Sequence, residues 1–477
     1  MMIQRRTKIV ATLGPATSDA KTLEAMIEAG LDVVRMNFSH GTAAEHEARV
    51  NLVRSIARRV GRAVGVLVDL QGPKIRIGKF VQGSITLNPG DKFVLDAERE
   101  MGGQDGVGLD YKNLPTDVHA GDTLLLDDGR LVLGVSEVKG SRISTLVEQG
   151  GVLSNNKGIN RRGGGLTAPA LTDKDMRDIE TAAQLKADFL GVSFPRSGAD
   201  IRWARDLMHR AGGNSLVVAK IERAEAIEAL EEILDASDAI MVARGDLAVE
   251  VGDAVIPALQ KRMIRLAREK NKAVITATQM MESMISNPIP TRAEVSDVAN
   301  AVLDGTDAVM LSGETAMGKY PVETVSAMAR VCVEAEKEDV LTAERRRQGV
   351  PSEVEEAIAR ATVFTANNLD IKAVAAMTQS GKTVLLMSRL STRVPIYAMS
   401  SVPETRRKVT LFRGVYPIRF KGTRDAEQTL HMAEDELLKR GAVHNGEYMV
   451  LTIGEPLGKA GGTNTMKIVR VGEHRQP

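Results

Sequence analysis

The sequence predicts an α/β protein built on a (β/α)8 TIM barrel, and two observations support this. Eight short apolar runs alternate with helix-patterned segments, which is typical of buried parallel strands in βα units. Nearly every run also leads into a polar residue, as expected where a barrel carries its chemistry at the carboxyl ends of its strands. The runs are Lys8–Leu13, Asp32–Phe38, Val64–Leu70, Asp188–Phe194, Leu216–Ile221, Ala239–Ala243, Ala273–Ala277 and Ala308–Leu311.

The length and composition bound the class of protein. The 477 residues suffice for a large barrel with one or two further domains. A net charge of +1 gives no reason to expect nucleic acid or an anionic membrane as a partner, and no apolar run approaches the ~20 residues that cross a bilayer. The single cysteine, Cys332, excludes an internal disulfide, so we expect a core thiol and a cytoplasmic protein.

Residues 72–169 break the βα rhythm and predict a small antiparallel β-barrel inserted as a lid. Thr123–Leu126 and Leu131–Val135 flank a predicted hairpin turn at residues 127–130. A second turn is expected at Lys139–Arg142, before another alternating run. Glycine-rich flanks on both sides of the insertion would permit hinge movement.

The predicted barrel comprises residues 1–71 and 170–345, with a C-terminal α/β effector-binding domain at 346–477. Capping boxes predict helix starts at Thr172 and Thr291. A charged stretch, residues 334–349, is expected to be a helix tail or linker. The C-terminal domain is predicted to hold a mainly parallel sheet. Its elements are helix Val354–Asn367 and strands Ala373–Met377, Pro395–Ser400, Tyr448–Ile453 and Met466–Val471.

Lys220, Glu222 and Asp246 are the first candidate site residues. Alternation along the fifth strand places Lys220 and Glu222 on one face, and Asp246 follows the next strand. Two carboxylates on neighbouring strand ends beside a lysine suit a hard divalent ion such as Mg²⁺. A structural ion pair explains the same residues, because a lysine and a carboxylate inside a barrel need partners.

Other strand ends carry a second group of candidates. Arg35, Asn37 and Ser39 alternate, so they share a face; Arg35 suits phosphate, and the others, with Asp69, offer oxygen ligands for a small cation. A solvated face is the alternative for this group.

Several residues remain ambiguous from the pattern alone. Gly245 permits close approach of a ligand to the backbone or simply makes a tight turn. The Thr278 hydroxyl could bind substrate, relay a proton or cap a helix. Gln379–Thr383 predicts an anion site at a helix start. The seven histidines show no metal-ligand spacing and are predicted to be surface or turn residues: His40, His46, His119, His209, His431, His444 and His474.

These segments together resemble the signature set of the pyruvate kinase family, and the resemblance covers essentially the whole chain. The motifs are Lys8–Ala16, Arg35–Gly41, Asp69–Arg76, Lys220–Glu222, Met241–Leu247, Ala277–Met280 and Leu311–Thr315. The resemblance implies transfer of a phosphoryl group from phosphoenolpyruvate to ADP, giving pyruvate and ATP. It also implies Mg²⁺ (or Mn²⁺) at Glu222 and Asp246. The implied catalytic residues are Lys220, Arg35 and Thr278. The implied substrate-binding residues are Arg35, Lys220, Gly245, Asp246 and Thr278. The implied nucleotide-binding residues are Asn37, His40, Arg76, Asp128 and Lys157.

One departure from the family pattern concerns potassium. The family's monovalent site would comprise Asn37, Ser39, Asp69 and the Leu70 carbonyl. Potassium-dependent members resemble Gly-Pro-Glu-Ile-Arg where this chain has Lys74 in place of the acid. A lysine ammonium can supply the charge that K⁺ otherwise provides, and two neighbouring cations would repel. We therefore expect activity without added K⁺.

The resemblance also implies regulation. The effector loop would be Thr378, Ser380, Gly381, Lys382 and Thr383, faced by Gly461–Met466, and would bind a phosphorylated sugar or AMP. The resemblance further implies a homotetramer.

Two other functions remain possible at this point. A barrel lyase or aldolase forming an enolate at Mg²⁺ shares Glu222 and Asp246, but needs neither a nucleotide lid nor a regulatory domain. A metabolite-sensing scaffold would require degraded residues at the barrel mouth, and these residues are all present.

Overall fold

A computed structural model describes residues 5–338, 351, 353–456 and 461–473. The first barrel units carry strands β1 (Lys8–Thr12), β2 (Val33–Asn37) and β3 (Gly65–Asp69), with helices α1 (Ala20–Ala29) and α2 (Ala43–Val60). Helix α2 begins with a capping box of Thr42 and Glu45, and Gly61, whose φ is 74°, caps its carboxyl-terminal end. The three strands pair in parallel, so their last residues lie at the same end of the barrel.

The insertion between β3 and the next barrel helix is rich in strands, as predicted. Its elements are β4 (Lys79–Phe80), β5 (Ser84–Leu87), β6 (Lys92–Asp96), β7 (Met101–Gly102), β8 (Gly106–Gly108), α3 (Leu114–Asp117), β9 (Thr123–Leu126), β10 (Leu131–Lys139), β11 (Arg142–Gln149), β12 (Gly151–Ser154) and β13 (Ile159–Arg161). The main sheet has the order β13-β9-β10-β11-β6-β8. Single bridges from Arg76 to Gly158 and from Ile77 to Leu109 join its two edges. The hairpins at 127–130 and 140–141 are confirmed, while β6–β8 and β4–β7 pair parallel, which the sequence did not predict.

The barrel then resumes and closes. Its remaining strands are β14 (Phe189–Val192), β15 (Leu216–Ile221), β16 (Ala239–Ala243), β17 (Ala273–Ala277) and β18 (Ala308–Leu311). The helices are α4 (Asp173–Gln184), α5 (Gly198–Arg210), α6 (Ala224–Glu228), α7 (Leu230–Ala236), α8 (Arg244–Val251), α9 (Ile256–Glu269), α10 (Arg292–Leu303), α11 (Gly313–Ala316) and α12 (Pro321–Ala335). The eight strands form a closed parallel barrel in the order β1-β18-β17-β16-β15-β14-β3-β2, which confirms the predicted fold. Capping boxes at Thr172 and Thr291 start α4 and α10, also as predicted.

The C-terminal domain has one five-stranded sheet, mainly parallel, as predicted. Its elements are α13 (Val354–Asn368), β19 (Ile371–Met377), α14 (Lys382–Arg389), β20 (Ile396–Ser400), α15 (Pro403–Lys408), β21 (Val415–Arg419), α16 (Ala426–Lys439), β22 (Tyr448–Gly454) and β23 (Thr463–Arg470). The sheet order is β21-β20-β19-β22-β23, and only β22–β23 pair antiparallel in it. Strand β21 was not predicted. The predicted domain boundary at 345/346 lies outside the described residues, and so does most of the predicted charged linker.

The C-terminal domain covers the amino-terminal end of the barrel. Arg389 pairs with Asp307 just before β18, and Arg407 Nε lies 2.8 Å from Asp188 Oδ1 just before β14. One apolar cluster runs from the barrel interior into this domain, because it contains Val218 together with Val384. The carboxyl-terminal end of the barrel is therefore left to the lid and to ligands. None of the described helices is long and apolar enough to cross a bilayer.

Candidate active site

A buried lysine organises the carboxyl-terminal mouth of the barrel. Lys220, near the end of β15, places Nζ 2.9 Å from Glu222 Oε1 and 3.3 Å from Asp69 Oδ1. It also donates to Ser193 Oγ at 2.7 Å. All three charged residues are buried. Alternation along β15 correctly predicted that Lys220 and Glu222 share a face, and parallel strands place Asp69 beside them.

The charges of this cluster shift one another's ionisation. Burial acts to lower the pKa of Lys220, but Asp69 and Glu222 outweigh it and raise that pKa, so the ammonium persists. Burial likewise opposes ionisation of Asp69, yet Lys220 and Arg35 hold the pKa of this carboxyl below its ordinary value. The cluster therefore keeps a fixed positive charge inside the barrel mouth.

Arg35 extends the cluster along β2. Its Nε donates to Asp69 Oδ2 at 2.5 Å, and Nη1 donates to Thr12 Oγ1 at 3.0 Å. Asp69 Oδ1 is buried and accepts no hydrogen bond within the part of the chain that the structure describes. The remaining Arg35 donors suit an anionic ligand, while Asp69 Oδ1, which in that part of the chain has only the Lys220 ammonium at 3.3 Å, keeps acceptor capacity for a cation or a donor.

Glu222 and Asp246 fit a hard divalent ion. Glu222 Oε2 accepts the Phe194 backbone N–H at 2.9 Å, and burial, helped by the charge of Asp246, raises the pKa of Glu222. No group of three or more His, Cys, Asp or Glu side chains among the described residues could hold a metal. The chain thus supplies two carboxylates, and Mg²⁺ commonly takes one or two carboxylates plus water and substrate phosphates.

Gly245 and Thr278 meet at the ends of β16 and β17. The Gly245 N–H donates to Thr278 Oγ1 at 2.8 Å, and that hydroxyl donates to the Ala277 carbonyl at 2.6 Å. Thr278 has a φ of 69°. Arg244 fixes this corner, since it donates to the Ala277 and Thr278 carbonyls and pairs with Asp297 at 2.7 Å. Sequence reasoning missed Arg244, although it directly precedes Gly245.

The residues after β2 form a tight turn. Asn37 Oδ1 accepts the Ser39 N–H at 3.1 Å, and His40 is exposed. His46 lies in α2 and is buried, with its ring stacked on Phe38 at 4.0 Å between centroids. The prediction that every histidine is a surface or turn residue is therefore wrong for His46, because His46 lies on the face of α2 that packs against the core.

The predicted lid residues Arg76 and Lys157 contact other residues of the lid, and the hairpin tip contacts Lys74. Arg76 Nη1 donates to the Asn156 carbonyl at 3.0 Å, and Lys157 Nζ lies 2.7 Å from Asp127 Oδ1. Asp128, at the tip of the β9–β10 hairpin, lies 3.6 Å from Lys74 Nζ. Lys74 also pairs with Asp246 of the barrel, so the hairpin tip lies near the barrel mouth.

The predicted monovalent site is organised differently from expectation. The Ser193 hydroxyl donates to the Leu70 carbonyl at 2.8 Å and accepts a hydrogen bond from the Lys220 ammonium. Lys74 Nζ does not lie against Asn37 or Asp69 but 2.9 Å from Asp246 Oδ1. Sequence reasoning missed Ser193, although it follows β14 just as other candidates follow their strands.

Comparison with known proteins agrees with this geometry. The family described as pyruvate kinase, barrel domain, matches residues 4–325, and the family described as pyruvate kinase, alpha/beta domain, matches residues 356–469. The chain belongs to the pyruvate kinase family.

Individual family members match over nearly their whole length. Pyruvate kinase II of Salmonella typhimurium is 53% identical over 474 residues, covering 98% of this chain and 99% of the relative. Pyruvate kinase of Haemophilus influenzae is 54% identical over 457 residues, covering 94% and 96%. Pyruvate kinase of Mycobacterium tuberculosis is 43% identical over 469 residues, covering 98% and 99%. The lid and the C-terminal domain are thus shared with these pyruvate kinases.

A separate cavity of about 540 Å³ lies in the C-terminal domain. Thr378, Ser380 and Thr383 of the predicted effector loop line it, while Gly381 and Lys382 do not. Lys382 Nζ instead lies 2.5 Å from Glu353 Oε2 and 3.5 Å from Glu355 Oε2.

The cavity also contains residues that the sequence did not predict. Lys421 and Arg424 line it and offer the positive charge that a phosphate needs. Glu355 lines the same cavity and accepts from the Thr383 hydroxyl at 2.5 Å. The predicted facing loop contributes Gly461 and Thr463. The positively charged residues of the cavity therefore come from the segment after β21, the strand that was missed.

Proposed function

We propose that this protein catalyses Mg²⁺-dependent phosphoryl transfer from phosphoenolpyruvate to ADP, giving pyruvate and ATP. The observation that carries the proposal is the buried Lys220 ammonium held between Asp69 and Glu222 at the barrel mouth, next to Arg35. In the reaction the bond between phosphorus and the enol oxygen breaks, an oxygen of the ADP β-phosphate bonds phosphorus, and the enolate takes a proton on carbon.

Lys220 and Arg35 supply the fixed positive charge of this reaction. Charge moves onto the transferring group and the enolate oxygen, and preorganised cations in a buried site stabilise that charge without reorganisation. Lys220 is held in place by Ser193 and two carboxylates, so its position does not depend on the ligand. Arg35 retains donors beyond those used on Asp69 and Thr12, and a guanidinium suits phosphate oxygens.

Glu222 and Asp246 would hold Mg²⁺ (or Mn²⁺), which supplies neutralising charge to the substrate's carboxylate and phosphate. Gly245, Asp246 and Thr278 would orient the carboxylate of phosphoenolpyruvate. The Thr278 hydroxyl is already engaged with Gly245 and Ala277, which supports proton delivery through water and not by this hydroxyl alone.

The lid would contribute to ADP binding and to exclusion of water. Arg76 and Lys157 would meet the nucleotide phosphates, with Asn37, His40 and Asp128 nearby. Closure over the mouth keeps water from competing with ADP as the phosphoryl acceptor. As the final step of glycolysis, the reaction fits a cytoplasmic protein.

The cavity in the C-terminal domain would bind a phosphorylated sugar or AMP as activator, in a homotetramer. Ser380, Lys421 and Arg424 supply hydroxyl and positive charge for its phosphate. If Ser380→Ala combined with Thr383→Ala leaves the response to every such effector intact, this placement is wrong.

A coupled pyruvate assay tests the proposed reaction. Protein is incubated with phosphoenolpyruvate and Mg²⁺, with and without ADP, and both pyruvate and ATP are measured. We expect pyruvate only with ADP, and one ATP for each pyruvate. Rapid pyruvate formation without nucleotide would contradict the proposal and favour a lyase.

A further inference from the structure

Lys74 joins the barrel to the lid. It lies in the segment that leaves β3 for the insertion, and its Nζ is 2.9 Å from Asp246 Oδ1 in the barrel. The same ammonium is 3.6 Å from Asp128 Oδ1 at the lid hairpin tip. Its side chain runs past Gly158 of the lid, where an added Cβ would lie 3.1 Å from Lys74 Cε. One cation thus contacts a carboxylate from each domain.

The charge of Lys74 persists at this position. The ammonium has two carboxylate partners, Asp246 and Asp128, and opposite charges at these distances favour the charged form. Asp246 is one of the two carboxylates proposed above for the divalent ion. A divalent ion bound to Asp246 would sit close to this ammonium, and the two positive charges would repel strongly in a partly buried site.

We propose that Lys74 is a built-in counter-ion of the divalent-metal site, which competes with the metal for Asp246 and ties Asp128 of the lid to the barrel until metal binds. The inference rests on the proposed metal site at Glu222 and Asp246. Metal loading and attachment of the hairpin tip through Lys74 are then opposing events. The role is distinct from supplying charge at the monovalent site.

Mn²⁺ binding to the full chain tests the competition directly. Free Mn²⁺ is measured by electron paramagnetic resonance in tetramethylammonium chloride, without substrates. Lys74→Met should bind Mn²⁺ roughly three- to tenfold more tightly, the range expected from removing one partly exposed ion pair. Lys74→Arg, which keeps the charge, should stay near the wild-type affinity. Lys79→Met, at an exposed lid lysine, is the matched control and should not change it.

Hydrogen exchange tests the link to the lid. The amides of residues 127–130 at the hairpin tip should exchange faster in the wild type once Mn²⁺ saturates the site. In Lys74→Met the exchange should already be fast without metal and should not change when metal is added. Asp128→Asn should show the same fast exchange, and its Mn²⁺ affinity should rise by less than that of Lys74→Met, because Lys74 still pairs with Asp246.

The outcomes separate this inference from the proposed function. Mn²⁺ affinity in Lys74→Met that equals or falls below that of the wild type overturns the counter-ion role and leaves the kinase proposal standing. A variant that gains a K⁺ requirement without a change in Mn²⁺ affinity places Lys74 at the monovalent site alone, and also overturns it. Absence of Mn²⁺ binding in the wild type would overturn the metal site and this inference together.

Discussion

The two ends of the barrel both contain buried ion pairs, but they leave different hydrogen-bonding groups unsatisfied. At the amino-terminal end, Asp307 accepts from Arg389, from the Arg413 N–H at 3.0 Å and from the Val274 N–H at 2.9 Å. At the carboxyl-terminal end, Asp69 Oδ1 accepts no hydrogen bond from the described residues. Within the described residues, the unsatisfied atom at the amino-terminal end is a donor, Arg389 Nε, enclosed beneath the C-terminal domain. At the carboxyl-terminal end it is an acceptor, Asp69 Oδ1, beside the open mouth, where a ligand can reach it.

A buried charge alone therefore does not mark an active site in this barrel. Asp32 at the amino-terminal end is also buried and charged, with Arg5 at 2.8 Å, Arg62 at 3.6 Å and the Ile9 N–H as partners. The Asp32 pairs connect elements within the barrel, whereas Arg389 and Asp307 connect the barrel to the C-terminal domain. The carboxyl-terminal end differs in that its unsatisfied atom is an acceptor, Arg35 and Asp246 are partly exposed, and the strand ends face an open mouth.

The largest expected effect comes from removing the central ammonium of the carboxyl-terminal end. Lys220→Met should lower kcat by about 10²–10³-fold or more, because a preorganised charge at the reacting group is lost. Steady-state kinetics measure the effect, and circular dichroism checks the fold. Lys8→Met removes a buried lysine from the opposite end and is the matched control, with kcat close to wild type. A loss below tenfold in Lys220→Met would contradict the assigned role.

Breaking the amino-terminal cluster should reduce stability instead of chemistry. Asp307→Ala leaves the fully buried Arg389 without its carboxylate, which should cost about 3–5 kcal/mol of unfolding free energy. The unfolding midpoint in urea measures this loss. Activity per folded molecule should be unchanged at a temperature where the variant is folded. An unchanged midpoint would show that this cluster does not join the domains.

Lys8 gives a pH-dependent version of the same comparison. Burial lowers the pKa of Lys8 from 10.5 to about 8 in the folded protein. Because the folded pKa is depressed, stability is lost as pH falls from 10.5 to about 8, and below pH 8 the fold bears the whole cost of the buried ammonium. Lys8→Met should therefore be the more stable protein at pH 7, by about 3 kcal/mol at most. Unfolding midpoints at pH 7 and 10 should show the gap closing at pH 10; an equal gap at both would exclude this account.

The smallest expected effect is the response of the wild type to potassium. If Lys74 provides the positive charge in the mouth, the rate in tetramethylammonium salt should stay close to the rate in K⁺. Lys74→Glu should instead require K⁺, because a new carboxylate replaces the ammonium. Rates in the two salts, at equal ionic strength, measure both effects. A near-complete loss of wild-type activity that K⁺ restores would refute potassium independence.

Much of the fold was predictable because buried parallel strands read as short apolar runs. All eight barrel strands fall within their predicted runs. Strand β21 was missed because its sequence, Val-Tyr-Pro-Ile-Arg, contains Pro417 and alternates weakly. Proline is tolerated there because β21 is an edge strand of its sheet. An edge position depends on the tertiary arrangement, which a local pattern does not contain.

The site was predictable to the extent that one strand carries several of its residues. Lys220 and Glu222 share β15 and its end, so alternation alone placed them together. Lys220 contacts Ser193, 27 residues away in the sequence, and Lys74 contacts Asp246, 172 residues away. Both contacts depend on which strands and domains meet, and a local pattern does not contain that information. Lys421 and Arg424 follow the missed strand β21, so their approach to the effector loop was missed with it.

Thr278 has a backbone conformation that is unfavourable for threonine. Its φ of 69° lies in the left-handed region, where a β-branched residue is a rare and unfavourable occupant. Glycine or asparagine would relax the backbone there, so a selection for thermostability alone should return these substitutions. Both remove the hydroxyl that meets Gly245. With the role proposed for Thr278, selection for heat resistance alone would therefore lower turnover, and each round of selection would also have to score product formation.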